Sequence, residues 1–224
     1  MATSSKRNIK ENSIITAAEK VFTEQGFANT KMEDVAKELG ISKGTIYFYF
    51  ASKENLYMAI TYRAFQALID RFYESVEASK DEDGVEGVMG LMRTFMLFSE
   101  SNFLYSEAML DFIAFVRSTS DGALDGKITD AMKESSYYER VQDIKNIPIS
   151  IFLKEIERGR NDGSILNKKK PELIYLYAWA GVLGFVKLNA TSGKKTSILK
   201  VEISDWRDYI MENTRKLLTD ASAV

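Results

Sequence analysis

Cysteine and histidine are both absent from this sequence, and proline occurs only twice in 224 residues. Without cysteine there is no disulfide, no thiol nucleophile and no thiolate metal ligand. Without histidine there is no imidazole triad and no zinc finger. Carboxylate chemistry survives that subtraction, but the segment "DGALDGKITDAMKE" at 121–134 fails as a calcium loop. Ala123 and Met132 stand where oxygen ligands are required. The expectation is therefore no enzyme, no cofactor and no metal. No apolar stretch reaches the roughly 20 residues that a bilayer span needs, and no charged start leads into an apolar run. That predicts a cytoplasmic protein with no membrane partner.

What the chain does hold is 45% hydrophobic and 28% charged residues, an ordinary balance for a globular protein. The net charge is −2, unevenly placed: residues 1–53 carry eight Lys/Arg against six Asp/Glu, or +2, which leaves −4 for the remainder. Lys6, Arg7 and Lys10 fall in the first ten residues with no acid among them.

With so little proline, apolar spacing of three and four predicts helices throughout. After a loose basic arm at 1–8, a first helix is expected over 9–25. Gly26 ends it, and Phe27 folds back on Phe22. Thr30 and Glu33 have the spacing of a capping box for a short second helix that Gly40 stops. Ser42 caps a third helix to about residue 48 or 50, and Ser52 caps a long fourth helix over 53–79. "KDEDG" at 80–84 is a turn. Helices follow at 85–98 and 103–117, then one or two over 123–160 with a kink or break at Pro148. "GRNDGSILNKKKP" is a loop, and final helices run from Pro171 to about 190 and over 204–219. No strand is expected. The fold class is all-α, with a boundary between 1–52 and 53–224.

The run Tyr47-Phe48-Tyr49-Phe50 sets a problem, because four consecutive rings cannot all face one core. At 100° per residue, Ile46 and Phe50 share the face that matches the apolar stripes of the two preceding helices. Gly44 and Phe48 then point the opposite way, with Lys43 and Tyr47 on one edge and Thr45 and Tyr49 on the other. Such an outward set needs a partner surface, and the major groove of B-DNA admits an α-helix. Gly44 lets the backbone approach base edges, Thr45 can hydrogen-bond a base, and Phe48 can lie on a thymine methyl. Tyr47, Tyr49 and Lys53 have the reach for phosphate oxygens, and the helix starts at Thr30, Ser42 and Ser52 present N–H groups to phosphate. The competing reading is that the rings pack against the rest of the protein.

The stretch "AAEKVFTEQGFANTKMEDVAKELGISKGTIYFYFASKENLYMAI", within residues 10–60, resembles the DNA-binding domain of the TetR (tetracycline-repressor-like) transcriptional regulators. That resemblance implies an N-terminal three-helix helix-turn-helix domain, joined by a long helix to a C-terminal helical bundle for ligand binding and dimerisation. It implies a homodimer on a palindromic, double-stranded operator DNA, with Thr30, Ser42, Lys43, Gly44, Thr45, Tyr47, Phe48, Tyr49 and Lys53 facing the DNA. The basic arm would touch backbone or minor groove. It also implies a small-molecule effector. Aromatic and methionine side chains at Met92, Phe95, Met96, Phe103, Met109, Phe112, Tyr137 and Phe152 are candidates to line its site, with Phe115 beside them. Glu100, Glu107, Asp111 and Arg117 are candidates to complement ligand charge. The last two helices would form the dimer interface through Tyr177, Ala180, Gly181, Gly184, Leu188, Trp206, Ile210 and Leu217. The glycines of "DGVEGVMG" would let the long helix move when ligand binds. The expected function is a ligand-responsive repressor, with an activator or a helical adaptor as the alternative.

Overall fold

The structure, a computed structural model, describes residues 2–119, 129–191 and 197–221. Most of segment 121–134, and the side chains of Phe115 and Arg117, lie outside the described residues. Eleven helices are described: α1 (Ala2–Gln25), α2 (Met32–Glu38), α3 (Lys43–Tyr49), α4 (Lys53–Ala78), α5 (Gly84–Ser101), α6 (Phe103–Thr119), α7 (Asp130–Lys133), α8 (Ser136–Ile144), α9 (Ile147–Asp162), α10 (Pro171–Thr191) and α11 (Ile203–Thr219). A two-residue pair, β1 (Ser197–Ile198) and β2 (Val201–Glu202), precedes α11. Among the described residues no helix is long and apolar enough to cross a membrane.

Several boundaries differ from expectation for local reasons. The arm is helical from Ala2, since nothing between it and the amphipathic stretch of α1 breaks a helix. Pro148 does mark a break as expected: α8 ends at Ile144, and Pro148 is the second residue of α9, a position that needs no N–H. "GRND" belongs to α9, and Gly163, at φ 81°, supplies the left-handed residue that ends it. The antiparallel pair turns through Leu199 and Lys200, both at positive φ without being glycine.

The chain forms two compact units, Met1–Gln66 with Phe103–Lys145, and Ala67–Asn102 with Asn146–Val224. These divide the chain differently from the 1–52 and 53–224 read from the sequence. In the first unit, α1, α2 and α3 close on Ile14, Ala18, Val21, Phe22, Val35 and Ile46, each at most 3% exposed. Phe27 does return to Phe22, edge to face at 5.6 Å, after Gly26 leaves α1 at φ 77°. Three buried or half-buried phenols fix α1, α4, α6 and α8 within this unit. Tyr105 donates to Glu19 (2.7 Å), Tyr57 to Asp111 (3.1 Å) and Tyr137 to Glu11 (2.5 Å). Burial, aided by the neighbouring carboxylate, raises the pKa of each phenol, that of Tyr137 to about 12. All three therefore stay protonated donors at neutral pH.

In the second unit α5 packs against α9, α10 and α11. Gly84 and Gly87 face α9 so closely that a Cβ on Gly84 would sit 2.1 Å from the Gly159 backbone. The glycines of "DGVEGVMG" are thus contact points between helices inside an unbroken helix, which corrects their expected role as a hinge. Leu166 and Asn167 donate backbone N–H groups to the Leu218 carbonyl (2.9 and 3.2 Å), tying the loop after α9 to the end of α11.

Candidate nucleic-acid interface

Ser42 caps α3 by accepting the Thr45 N–H at 3.1 Å, and its hydroxyl lies 2.8 Å from that of Thr45. From this fixed start the wheel runs as its apolar spacing predicts. Ile46 is fully buried and Phe50 is 3% exposed, whereas Phe48 is 71% exposed and Tyr47 40%. Ser42, Lys43 and Gly44 are also exposed, and Thr45 and Tyr49 are half-buried. Phe48 and Tyr49 meet edge to face at 5.3 Å, and the Arg7 guanidinium stands 5.7 Å from the Phe48 ring. Leaving a phenyl ring in water forgoes roughly 2 kcal/mol of burial, so this face is built for something other than the stability of the free chain. Gly44 fits the same reading, because among the described residues a Cβ there would meet only the Ser42 hydroxyl, at 3.9 Å. The fold tolerates a side chain at this position.

Lys43 pairs with Glu33 of α2, and its ammonium lies 5.6 Å from the Tyr47 ring. That pairing raises the pKa of Lys43 and lowers that of Glu33. Both ends are exposed, so the pair holds little energy and exchanges readily for another anion.

Two candidates are placed otherwise. Thr30 is 2% exposed, and its hydroxyl donates to the Gly26 carbonyl at 2.9 Å. The cap of α2 is Lys31, whose N–H goes to Asp34 Oδ2 at 2.8 Å. Turned inward by the glycine turn, Thr30 closes that turn instead of facing outward. Lys53 is likewise spent within the protein. Its ammonium donates to the carbonyls of Phe27 (2.7 Å), Ala28 (3.2 Å) and Thr30 (2.9 Å), 4.5 Å from the Phe27 ring. All three of its N–H donors serve the α1–α2 turn. Lys53→Met is therefore expected to lower unfolding stability by about 2 kcal/mol. It should also leave unchanged the salt dependence of any DNA binding, whereas loss of a phosphate contact reduces that slope by about one. Chemical denaturation and a salt titration check the two halves.

The other candidates divide between the units. Met92, Phe95, Met96 and Phe152 are buried in the second, and Met109 and Phe112 in the first. Phe103 is 52% exposed at the first position of α6, which removes it as an enclosed lining residue. Tyr137 lines an open cleft in the first unit. Asp111 is taken by Tyr57, and Glu100 pairs with Arg207 at 3.4 Å. On α10, Tyr177 (63%) and Leu188 (49%) are exposed, as is Ala180, and among the described residues nothing lies within 4 Å of where a Gly184 Cβ would be. Leu176 (57%) and Tyr209 (66%) extend this exposed set; Leu176 was not singled out from the sequence. Gly181 lies against Ile210, 3.6 Å from an added Cβ, and Trp206 packs on Phe185 at 5.1 Å, so these three make contacts inside the chain. Leu217 is half-buried.

The profile of the family described as "Bacterial regulatory proteins, tetR family" matches residues 14–60, which span the later half of α1, all of α2 and α3, and the start of α4. Over those residues the chain is similar to the tetR family of bacterial regulatory proteins. The HTH-type transcriptional regulator TtgR of Pseudomonas putida is 34% identical over 102 residues, 44% of this chain and 42% of that protein. The chain thus matches less than half the length of that curated relative. Likeness of fold extends much further. A protein of unknown function from Rhodococcus sp. RHA1 superposes with a TM-score of 0.71 at 14% identity, covering 94% of this chain and 95% of its own. The transcriptional regulator FadR of Bacillus subtilis, solved in complex with stearoyl-CoA, does so at 0.63 and 16% identity, covering 95% and 98%.

Proposed function

We propose that the chain is a DNA-binding transcriptional regulator, a repressor that binds a palindromic operator as a homodimer and leaves it when a small apolar or amphipathic ligand binds. The observation that carries this reading is α3, whose apolar side is spent on Ile46 and Phe50 while Gly44, Tyr47 and Phe48 are left outward on a capped helix. In this reading residues 1–52 read DNA, and 53–224 bind ligand and dimerise. Thr45 and Phe48 meet base edges, Gly44 allows the close approach, and Ser42, Lys43, Tyr47 and Tyr49 hold phosphates. Lys43 exchanges Glu33 for a phosphate oxygen on docking. The basic face of α1 at Lys6, Arg7 and Lys10 adds backbone contacts.

The exposed face of α10 and α11 is the proposed dimer contact. Leu173, Leu176, Tyr177, Leu188 and Tyr209 each expose about half or more of their surface, and Ala180 and Gly184 between them leave room for a second helix. Leu176→Glu is expected to shift the protein from dimer to monomer in analytical ultracentrifugation with its helical content unchanged. A dimer of unaltered strength would place the contact elsewhere. Support for an effector comes from the methionine-rich interior of α5 at Met89, Met92 and Met96, side chains that reshape readily, and from the acyl-CoA complex of the FadR fold relative.

Binding to a random-sequence duplex pool, compared with one duplex enriched from it, tests the functional reading. A sequence-reading regulator prefers the enriched duplex by roughly a thousandfold or more. An adaptor with an idle helix-turn-helix binds both equally weakly.

A further inference from the structure

The first unit holds a cleft of about 500 Å³ between the start of α1, the end of α3, α4 and the start of α8. Its lining carries three arginines, Arg7, Arg63 and Arg140, against one carboxylate, Glu11. Their charges are not equally available. Arg63 is consumed: it bonds both oxygens of Glu19 at 3.0 Å and also reaches Thr16 and Asn12. Glu11 is partly consumed by the Tyr137 hydroxyl at 2.5 Å. Arg140 is different. Its guanidinium lies 5.3 Å from the Tyr62 ring and 5.1 Å from the Tyr137 ring, and it pairs with no acid among the described residues. Two aromatic rings hold the cation in place and leave its N–H fork unspent, the arrangement that suits bidentate capture of a carboxylate or phosphate. The Ser136 hydroxyl and the Gln66 amide, one N–H of which already donates to the Tyr62 hydroxyl at 3.1 Å, also line the cleft and offer the remaining donors and acceptors to a polar ligand.

We propose that this cleft binds a small organic anion, a carboxylate carrying hydroxyl groups, whose charged end is taken by Arg140. The size suits a small ligand and the lining is polar, unlike the methionine-rich interior of α5. Tyr49 and Phe50, the last residue and C-cap of the outward-facing helix α3, form part of the wall. A bound anion therefore rests directly against α3, and its occupancy alters operator affinity. That second consequence rests on the DNA-binding reading; the site itself does not.

The test is isothermal titration calorimetry of the full chain, without DNA and at fixed ionic strength, with 4-hydroxybenzoate and inorganic phosphate as separate probes. Arg140→Gln removes the fork, and Arg93→Gln, an exposed arginine of the second unit, is the control. Saturable binding of 4-hydroxybenzoate, weakened at least tenfold by Arg140→Gln and unchanged by Arg93→Gln, is the expected result; phosphate binding more weakly at the same residue agrees with it. Absence of saturable binding to wild type overturns the proposal, as does equal binding by all three proteins. In a second arm, 4-hydroxybenzoate should change affinity for the enriched duplex in wild type and not in Arg140→Gln. An identical change in both overturns the link to α3. A chain that binds no duplex selectively overturns the DNA reading while the calorimetry still decides the site.

Discussion

Gly44→Leu is expected to leave the protein as stable as wild type, or about 0.5 kcal/mol more so, while cutting operator affinity roughly a hundredfold or more. Stability should hold because Gly44 has a helical backbone with space beside it, and leucine is the better helix former. Affinity should fall because the new side chain stands on the outward face between Ser42 and Phe48, where the proposed contact needs helix backbone close to base edges. Each protomer of a dimer then loses base contacts worth about 1–3 kcal/mol, and two such losses multiply. Few substitutions separate folding from function so cleanly. Thermal unfolding measured beside fluorescence anisotropy on the enriched duplex checks it, and intact affinity in Gly44→Leu would remove α3 from the groove.

Gly84→Ala should have the opposite profile, a loss of stability with no direct effect on the reading face. The added methyl would lie 2.1 Å from both N and Cα of Gly159, and no side-chain rotation relieves a clash with backbone. The α5–α9 contact must open, at a cost of about 3 kcal/mol or more. Gly90→Ala is the internal comparison, because its methyl meets only the Ser75 hydroxyl at 3.1 Å, so its effect should be within about 1 kcal/mol. Equal denaturation midpoints for Gly84→Ala and wild type would mean that α5 and α9 do not pack this closely.

Local chemistry explains which features the sequence made readable. Ser42 and Ser52 cap helices through hydroxyl–amide contacts spanning three residues, and Ile46 and Phe50 share a face through helical geometry alone. Both follow from spacing. Thr30 misled because a threonine with glutamate three residues on fits a capping box, yet the preceding Gly26 turn draws it inward and hands the cap to Lys31 and Asp34. The partner of Lys53 was illegible for another reason: its acceptors are backbone carbonyls 23 to 26 residues away, which carry no sequence signature. The same holds for the Glu19–Tyr105 and Glu11–Tyr137 bonds, which span 86 and 126 residues. The turn at Leu199 and Lys200 lacks the Asn-Gly or Gly signal of a tight hairpin, so β1 and β2 left no trace in the pattern. Candidate ligand residues were chosen for aromatic and methionine character, which core and pocket share; that is why Phe103 could be chosen and prove exposed.

Selection of bound duplexes from a random library, by wild type and by Thr45→Ala in parallel, tests the central claim that α3 reads base edges from a dimer. Wild type should enrich an inverted repeat whose half-sites lie about one helical turn, or a multiple of it, apart. Thr45→Ala should keep this spacing but change its preference at symmetric positions in both half-sites. Enrichment of no repeat by wild type, or of the same sequence by both proteins, would contradict it.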